Sequence, residues 1–179
     1  MEKYILGFKF RIYPNKTQQE LINKTLGCCR FVYNHFLAIR GDEWTANNNS
    51  VTYSQTSAML TDLKRYEEYS WLKEVDSMAL QESLKNLDTA YQNFFKHQSR
   101  YPRFKSKHNH SQSYRTRNQG NGIRIIGNRI KLLSTFVTVL VTVFPGNTLA
   151  GFCGYVDLKR ADSRALSFTV SGGFFSIPL

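Results

Sequence analysis

FKFRIYPNKTQQELINKTLGCCRFVYNHFL, residues 8–37, carries two different periods in succession. Over residues 4–13 the side chains alternate, with Phe8, Phe10 and Ile12 on one side and Lys9, Arg11 and Tyr13 on the other. A period of two predicts a half-buried strand, and Pro14 ends it because proline cannot donate to a ladder. A helix start follows. Asn15 or Thr17 can cap it, and Gln18 or Glu20, three residues on, can close a capping box. Leu21, Thr25, Cys28, Val32 and Phe36 then step by fours and threes, the stripe of an amphipathic helix. Gly27 marks a kink in that helix or a break between two.

Working outward, residues 41–52 (GDEWTANNNSVT) are rich in turn formers and read as a loop. A short helix is expected over about 54–65, with Met59, Leu60 and Leu63 inward. The longest helix is expected over about 76–98, where Leu80, Leu84, Leu87, Tyr91 and Phe94 form a regular apolar stripe. GIRIIGNRIKL reads as a hairpin turning at Gly127-Asn128. That turn sets Ile125 against Ile130, Ile123 against Leu132, Arg124 against Lys131 and Ile126 against Arg129. Like charges directly opposed destabilise a ladder, and a phosphate between Arg124 and Lys131 would reverse the sign of that interaction. The tail changes character: FVTVLVTVF (136–144) is β-prone and uncharged, and the Gly-rich pieces after it show no helix period.

The chain has 179 residues, 24 Lys and Arg, 13 Asp and Glu and a net charge of +11. The excess is local. Residues 1–88 hold 11 basic and 11 acidic side chains, whereas residues 89–156 hold 10 basic ones and no carboxylate. Ordinary surfaces intersperse both signs, so a 68-residue stretch of one sign is read as a surface shaped for phosphate. Its densest part, RYPRFKSKHNHSQSYRTRN (100–118), interleaves Arg100, Arg103, Lys105, Lys107, Arg115 and Arg117 with Tyr101, Phe104 and Tyr114. Such cations can follow a phosphate backbone while flat rings stack on bases; Pro102 and the polar residues predict an extended loop. Three cysteines, two of them adjacent, exclude a disulfide scaffold and a four-cysteine zinc site. Cys28 and Cys29 are expected to be buried thiols. No apolar run reaches the about 18 residues of a membrane span, and no signal peptide is read at the N-terminus, so a cytoplasmic protein without a membrane partner is expected.

Three segments in this order, FKFRIYPNKTQQELINKTLGCCRFVYNHFL (8–37), YSQTSAMLTDLKRYEEYSWLKEVDSMALQESLKNLDTAYQNFFK (53–96) and YPRFKSKHNHSQSYRTRN (101–118), resemble the TnpB/OrfB proteins of bacterial insertion sequences. So does the strand pair ending at Leu132, and the resemblance covers about residues 3–132. It implies a compact relative of the type V CRISPR nucleases, which finds DNA beside a short motif with a guide RNA. The implied fold is α+β: a helical recognition lobe, traditionally described as a helix-turn-helix, inserted between strands of a partial β-barrel. The corresponding divisions are 1–14 for the first barrel strand, 15–99 for the helical lobe, 100–133 for the basic loop and hairpin, and 134–179 for a divergent β-prone tail. Cutting in that family belongs to a RuvC-like domain further along, with three magnesium-binding carboxylates and an embedded zinc ribbon.

After Lys131-Leu132 the text departs from the family, and only Asp157 and Asp162 follow Asp88. Two-metal cleavage needs several converging carboxylates. No catalytic residue, no metal ligand and no cofactor is therefore assigned here; the magnesium and zinc sites belong to the part this sequence lacks. A frameshift near codon 133 would account for the departure, and a shortened protein whose tail completes the barrel is the rival. The expected function is a truncated, transposase-associated fragment that binds DNA and guide RNA without cleavage, against an active RNA-guided endonuclease or a decayed-gene product. Lys9 and Arg11 of the first strand are expected to join the cations of 100–117 at phosphates, with Tyr114 stacking on a base. Arg30 and Asn34, one helical turn apart, are candidates for reading sequence.

Overall fold

The computed structural model describes residues 6–109, 112–117, 124–126, 129–132, 137–141, 155–160 and 166–173, with side chains over 14–109 and 112–117. The chain divides into two compact units, one made of residues 1–23 and 110–179 and the other of residues 24–109.

The first unit is built on strands. β1 (Leu6–Tyr13), β2 (Ser113–Arg117), β3 (Arg124–Ile126), β4 (Arg129–Leu132), β5 (Val137–Val141), β6 (Tyr155–Arg160) and β7 (Leu166–Gly173) join one antiparallel sheet in the order β2-β6-β7-β1-β5-β4-β3. β3 and β4 pair with Arg124 opposite Lys131, Ile125 opposite Ile130 and Ile126 opposite Arg129, the expected register; Ile123, Gly127 and Asn128 lie outside the described residues. The expected partial barrel finds no support in this arrangement. The strand order is linear, β2 and β3 form its edges, and no pairing among the described residues closes the ring. β1 is central: residues 6–12 pair with β7, and Ile12 and Tyr13 pair with Val141 and Leu140 of β5. Both neighbours of the first strand thus come from the tail. Residues 113–117, expected in a loop, form β2 against β6.

The second unit is helical. α1 (Lys16–Asn47) enters it from the first unit and runs unbroken for 32 residues. Its start is the expected capping box: Gln18 N donates to Asn15 Oδ1 at 2.9 Å and Asn15 N to Gln18 Oε1 at 2.9 Å. Gly27 does not divide it into two helices, and residues 41–47, expected in a loop, continue it. Polar bonds hold that last stretch, Thr45 Oγ1 donating to the Gly41 carbonyl at 2.9 Å and Asn47 Nδ2 to Glu43 at 3.0 Å. The helix stops at Asn48, whose φ of 54° is the left-handed turn that asparagine tolerates at a C-terminus. A Cβ added at Gly27 meets nothing within 4 Å. Gly27→Ala is therefore expected to stabilise the helical unit by about 1 kcal/mol, the propensity difference in a helix interior, read as a higher urea midpoint.

α2 (Tyr53–Leu63) opens with a second capping box, Thr52 with Gln55. A 3₁₀ segment, Glu67–Glu74, leads to α3 (Ser77–Phe95), capped by Asp76. The core gathers Val32 and Phe36 of α1, Leu60 of α2, Leu72, and Leu80, Leu84 and Leu87 of α3, each at most 2 % exposed. Met59, expected inward, is 41 % exposed. Ser83 Oγ ties α3 to α1 by donating to the Cys29 carbonyl at 2.6 Å. Cys28 and Cys29 are buried and unpaired; burial pushes the Cys28 thiol up to about 11, so it stays protonated and unreactive at neutral pH. Among the described residues no helix is long and apolar enough to cross a membrane.

Candidate nucleic-acid interface

The basic segment leaves α3 at Lys96, the helix's C-cap, and turns at His97, whose φ is 58°. From there residues 100–106 run without regular structure, as Pro102 and the polar composition predict. Two anchors fix this run. Tyr101 packs edge-on against Tyr91 and Phe94, with ring centroids 5.6 and 5.4 Å away, and its hydroxyl lies 3.0 Å from that of Tyr91. Burial and that hydrogen bond hold the Tyr91 phenol well above its usual range. Tyr91 also carries the Arg40 guanidinium over its face at 4.1 Å, and Arg40 bonds Asp88 at 3.2 Å.

The second anchor is Asn34. Its Nδ2 donates to the Lys105 carbonyl at 2.9 Å, and the Lys105 amide donates to its Oδ1 at 2.8 Å. The side-chain amide thus imitates a strand partner for one residue of the loop. The Lys105 ammonium lies 4.1 Å above the Tyr33 ring, and burial of that end lowers its pKa. Asn34, expected to read sequence, thus bonds the backbone of the loop, and Lys105, exposed as a whole residue, sets its ammonium over an aromatic face. Asn34→Ala is expected to release the segment at a cost of about 1–2 kcal/mol for two hydrogen bonds. Faster hydrogen exchange at the Lys105 amide would report it.

Arg100, Arg103 and Lys107 stand exposed on the anchored segment, and Arg30 is half-buried on α1. Tyr114, Arg115 and Arg117 are half-buried in β2, where Tyr114 faces Leu158 and Arg115 faces Asp157 in register. One of the two late aspartates is thus set across from a cation. Lys9 and Arg11 sit on β1 opposite Thr169 and Ser167; their side chains, with those of Arg124 and Lys131, lie outside the described residues. The helical unit brings together Arg40 with exposed rings of Trp44, Phe95, Tyr101 and Phe104, and Arg100 and Arg103 neighbour Tyr101 and Phe104 in the chain. Arg40, Trp44 and Phe95 escaped the sequence reading. Their one sequence signal is that Trp44 and Phe95 fall off the apolar stripes. Among the described residues no three His, Cys, Asp or Glu side chains are grouped to hold a metal ion.

The model of the OrfB helix-turn-helix domain matches residues 1–49. A candidate RNA-guided DNA endonuclease of Streptomyces pristinaespiralis is 43% identical over 107 residues, covering 60% of this chain and 27% of that protein. InsQ of Escherichia coli K12, another candidate RNA-guided DNA endonuclease, is 37% identical over 105 residues, covering 59% of this chain and 26% of its own length. The virulence protein VsdF of Salmonella dublin is 38% identical over 109 residues, 56% of this chain and 92% of VsdF. The chain thus spans about a quarter of the first two relatives and nearly all of the third.

Proposed function

Given that this chain belongs to the TnpB/OrfB family and matches the N-terminal part of its long members, we propose that it binds DNA, and the guide RNA of its element, without cutting either. The observation that carries this is the anchored segment 100–107. Arg100, Arg103 and Lys107 are exposed there, in a 68-residue stretch without a carboxylate. Asn34 and Tyr101 fix the backbone that bears them, so their spacing is set before a phosphate arrives and less ordering entropy is lost on binding. The non-cutting half of the proposal is supported by the composition of residues 89–179, whose only carboxylates are Asp157 and Asp162. The relative VsdF, scarcely longer than its matched segment, is consistent with a portion that occurs apart from the rest of the long chains.

Fluorescence anisotropy with labelled duplex DNA and with RNA from the element's end, titrated with salt, tests the proposal. Affinity is expected to fall linearly on a log–log plot, and Arg100→Gln and Arg103→Gln should each flatten the slope by about 1. An unchanged slope in both variants, or no binding in dilute buffer, would sink the proposal. Cleavage of a guided target in magnesium would sink its second half.

A further inference from the structure

Trp44, Phe95, Tyr101 and Phe104 are 56, 64, 48 and 64 % exposed and line a single groove of about 530 Å³ within the helical unit. Isolated exposed rings need no explanation, but a contiguous set marks a binding surface. The volume falls within the about 300–1,000 Å³ of small-molecule sites, ample for a nucleobase. Two of the rings, Phe95 and Tyr101, are also held from behind. Phe94 packs on Phe95 at 5.4 Å and on Tyr101 at 5.4 Å, and Tyr91 stacks on Phe95 at 6.3 Å. That part of the platform is therefore formed before anything lands on it.

Charge selects the occupant. The stretch 95–107, which supplies three of the four rings, also carries Lys96, Arg100 and Arg103, all exposed, and contains no carboxylate. Arg40 lines the groove with its charge matched by Asp88, and Asp42 is the one carboxylate on the lining. An apolar protein segment would gain from the rings and nothing from the cations. A polyanionic strand with unpaired bases would use both, because every base has a face that stacks on an aromatic ring. We infer that this groove takes unstacked bases of a single nucleic-acid strand whose phosphates run past Arg100 and Arg103. The inference rests on the proposed nucleic-acid binding and adds to it a preference for unpaired over paired bases.

The test compares the full chain's affinity for a thymidine oligomer with that for an abasic oligomer of equal length and charge. The base-bearing strand should bind roughly tenfold tighter, from the worth of stacking a single base. Phe95→Ala with Phe104→Ala, both at exposed positions, should bring that ratio close to one while leaving the salt slope unchanged. Circular dichroism confirms that the double variant keeps its helices. Equal binding of the two strands by the unaltered chain would overturn the groove and leave the cationic binding standing. Failure to bind either strand would overturn both. Retention of the base preference by the double variant overturns the groove as its seat, and a change confined to self-association in sedimentation identifies it as a protein contact instead.

Discussion

Removal of residues 134–179 is expected to abolish protection of the β1 amides while leaving the helical signal of residues 24–109. β1 has a neighbour on each side, and both lie beyond residue 134, with β7 covering residues 6–12 and β5 covering residues 12 and 13. Without them the strand presents two rows of unpaired N–H and C=O groups, and a lone strand has no stability in water. The remaining β3–β4 ribbon has no other partner among the described pairings, and a two-stranded ribbon is marginal by itself. Hydrogen exchange read by mass spectrometry separates the units. Amides at residues 6–13 should exchange as in an unfolded chain, and those of α3 as in the intact protein. Open edges also template aggregation, so the shortened chain should lose solubility as well. Undiminished protection at residues 6–13 would mean that the tail contributes nothing to the sheet.

The second large effect is expected at Phe36. It is fully buried on α1, in a core shared with Val32, Leu80 and Leu84. The His35 ring meets it edge-on at 5.3 Å. Phe36→Ala removes a ring that the surrounding helices cannot close over, and such changes cost about 3–5 kcal/mol. A whole domain is stable by only about 5–15 kcal/mol, so the variant should lose much of its margin. Urea unfolding followed at the helical band measures it. A loss below about 1 kcal/mol would show that the site collapses around the gap. Phe36→Leu, which conserves more of the volume, should recover part of the difference.

These expectations draw on parts of the molecule that differ in how plainly the sequence announces them. The α1 stripe through Thr25, Cys28, Val32 and Phe36 was legible because a buried face imposes the helical period on apolar residues, and all four are buried. The Asn15–Gln18 box was legible for a similar reason, since its two side chains satisfy each other's backbone within one turn. The stretch from Gly41 to Asn47 was not. It buries no apolar stripe, and bonds such as Thr45 to Gly41 hold it locally, so composition alone reads as a turn. The Thr52–Gln55 box could have been found by the spacing that revealed the first one.

The interface was legible in charge but not in arrangement. A run of cations without carboxylates is a one-dimensional fact, whereas the contact of Asn34 with Lys105 spans 71 positions. Arg30 and Asn34 looked equivalent in sequence because both project from one helix a turn apart; only the arrival of the loop distinguishes them. Tyr114 stood out as a stacking residue because it sits among cations, whereas Trp44 and Phe95, exposed in the helical unit with Tyr101 and Phe104, lie outside the cationic run 100–118. Two of these come from the ends of helices that the periodicity treats as core or loop. The partial barrel was implied by the resemblance alone: closure depends on which edges meet, and alternation within a strand says nothing about its neighbours.

The pairing of β1 with β7 sets a timetable for the nascent chain. Residues 6–12 leave the ribosome early, but their partners at 166–173 are among the last described residues to be made. At about 5–20 residues per second the wait is on the order of ten seconds. The helices of residues 24–109 can meet within that interval, since their contacts close much shorter loops and form first. A ribosome stalled between the two strands would therefore display finished helices beside a first strand still without its mate, and that is the interval in which a holding chaperone has most to protect.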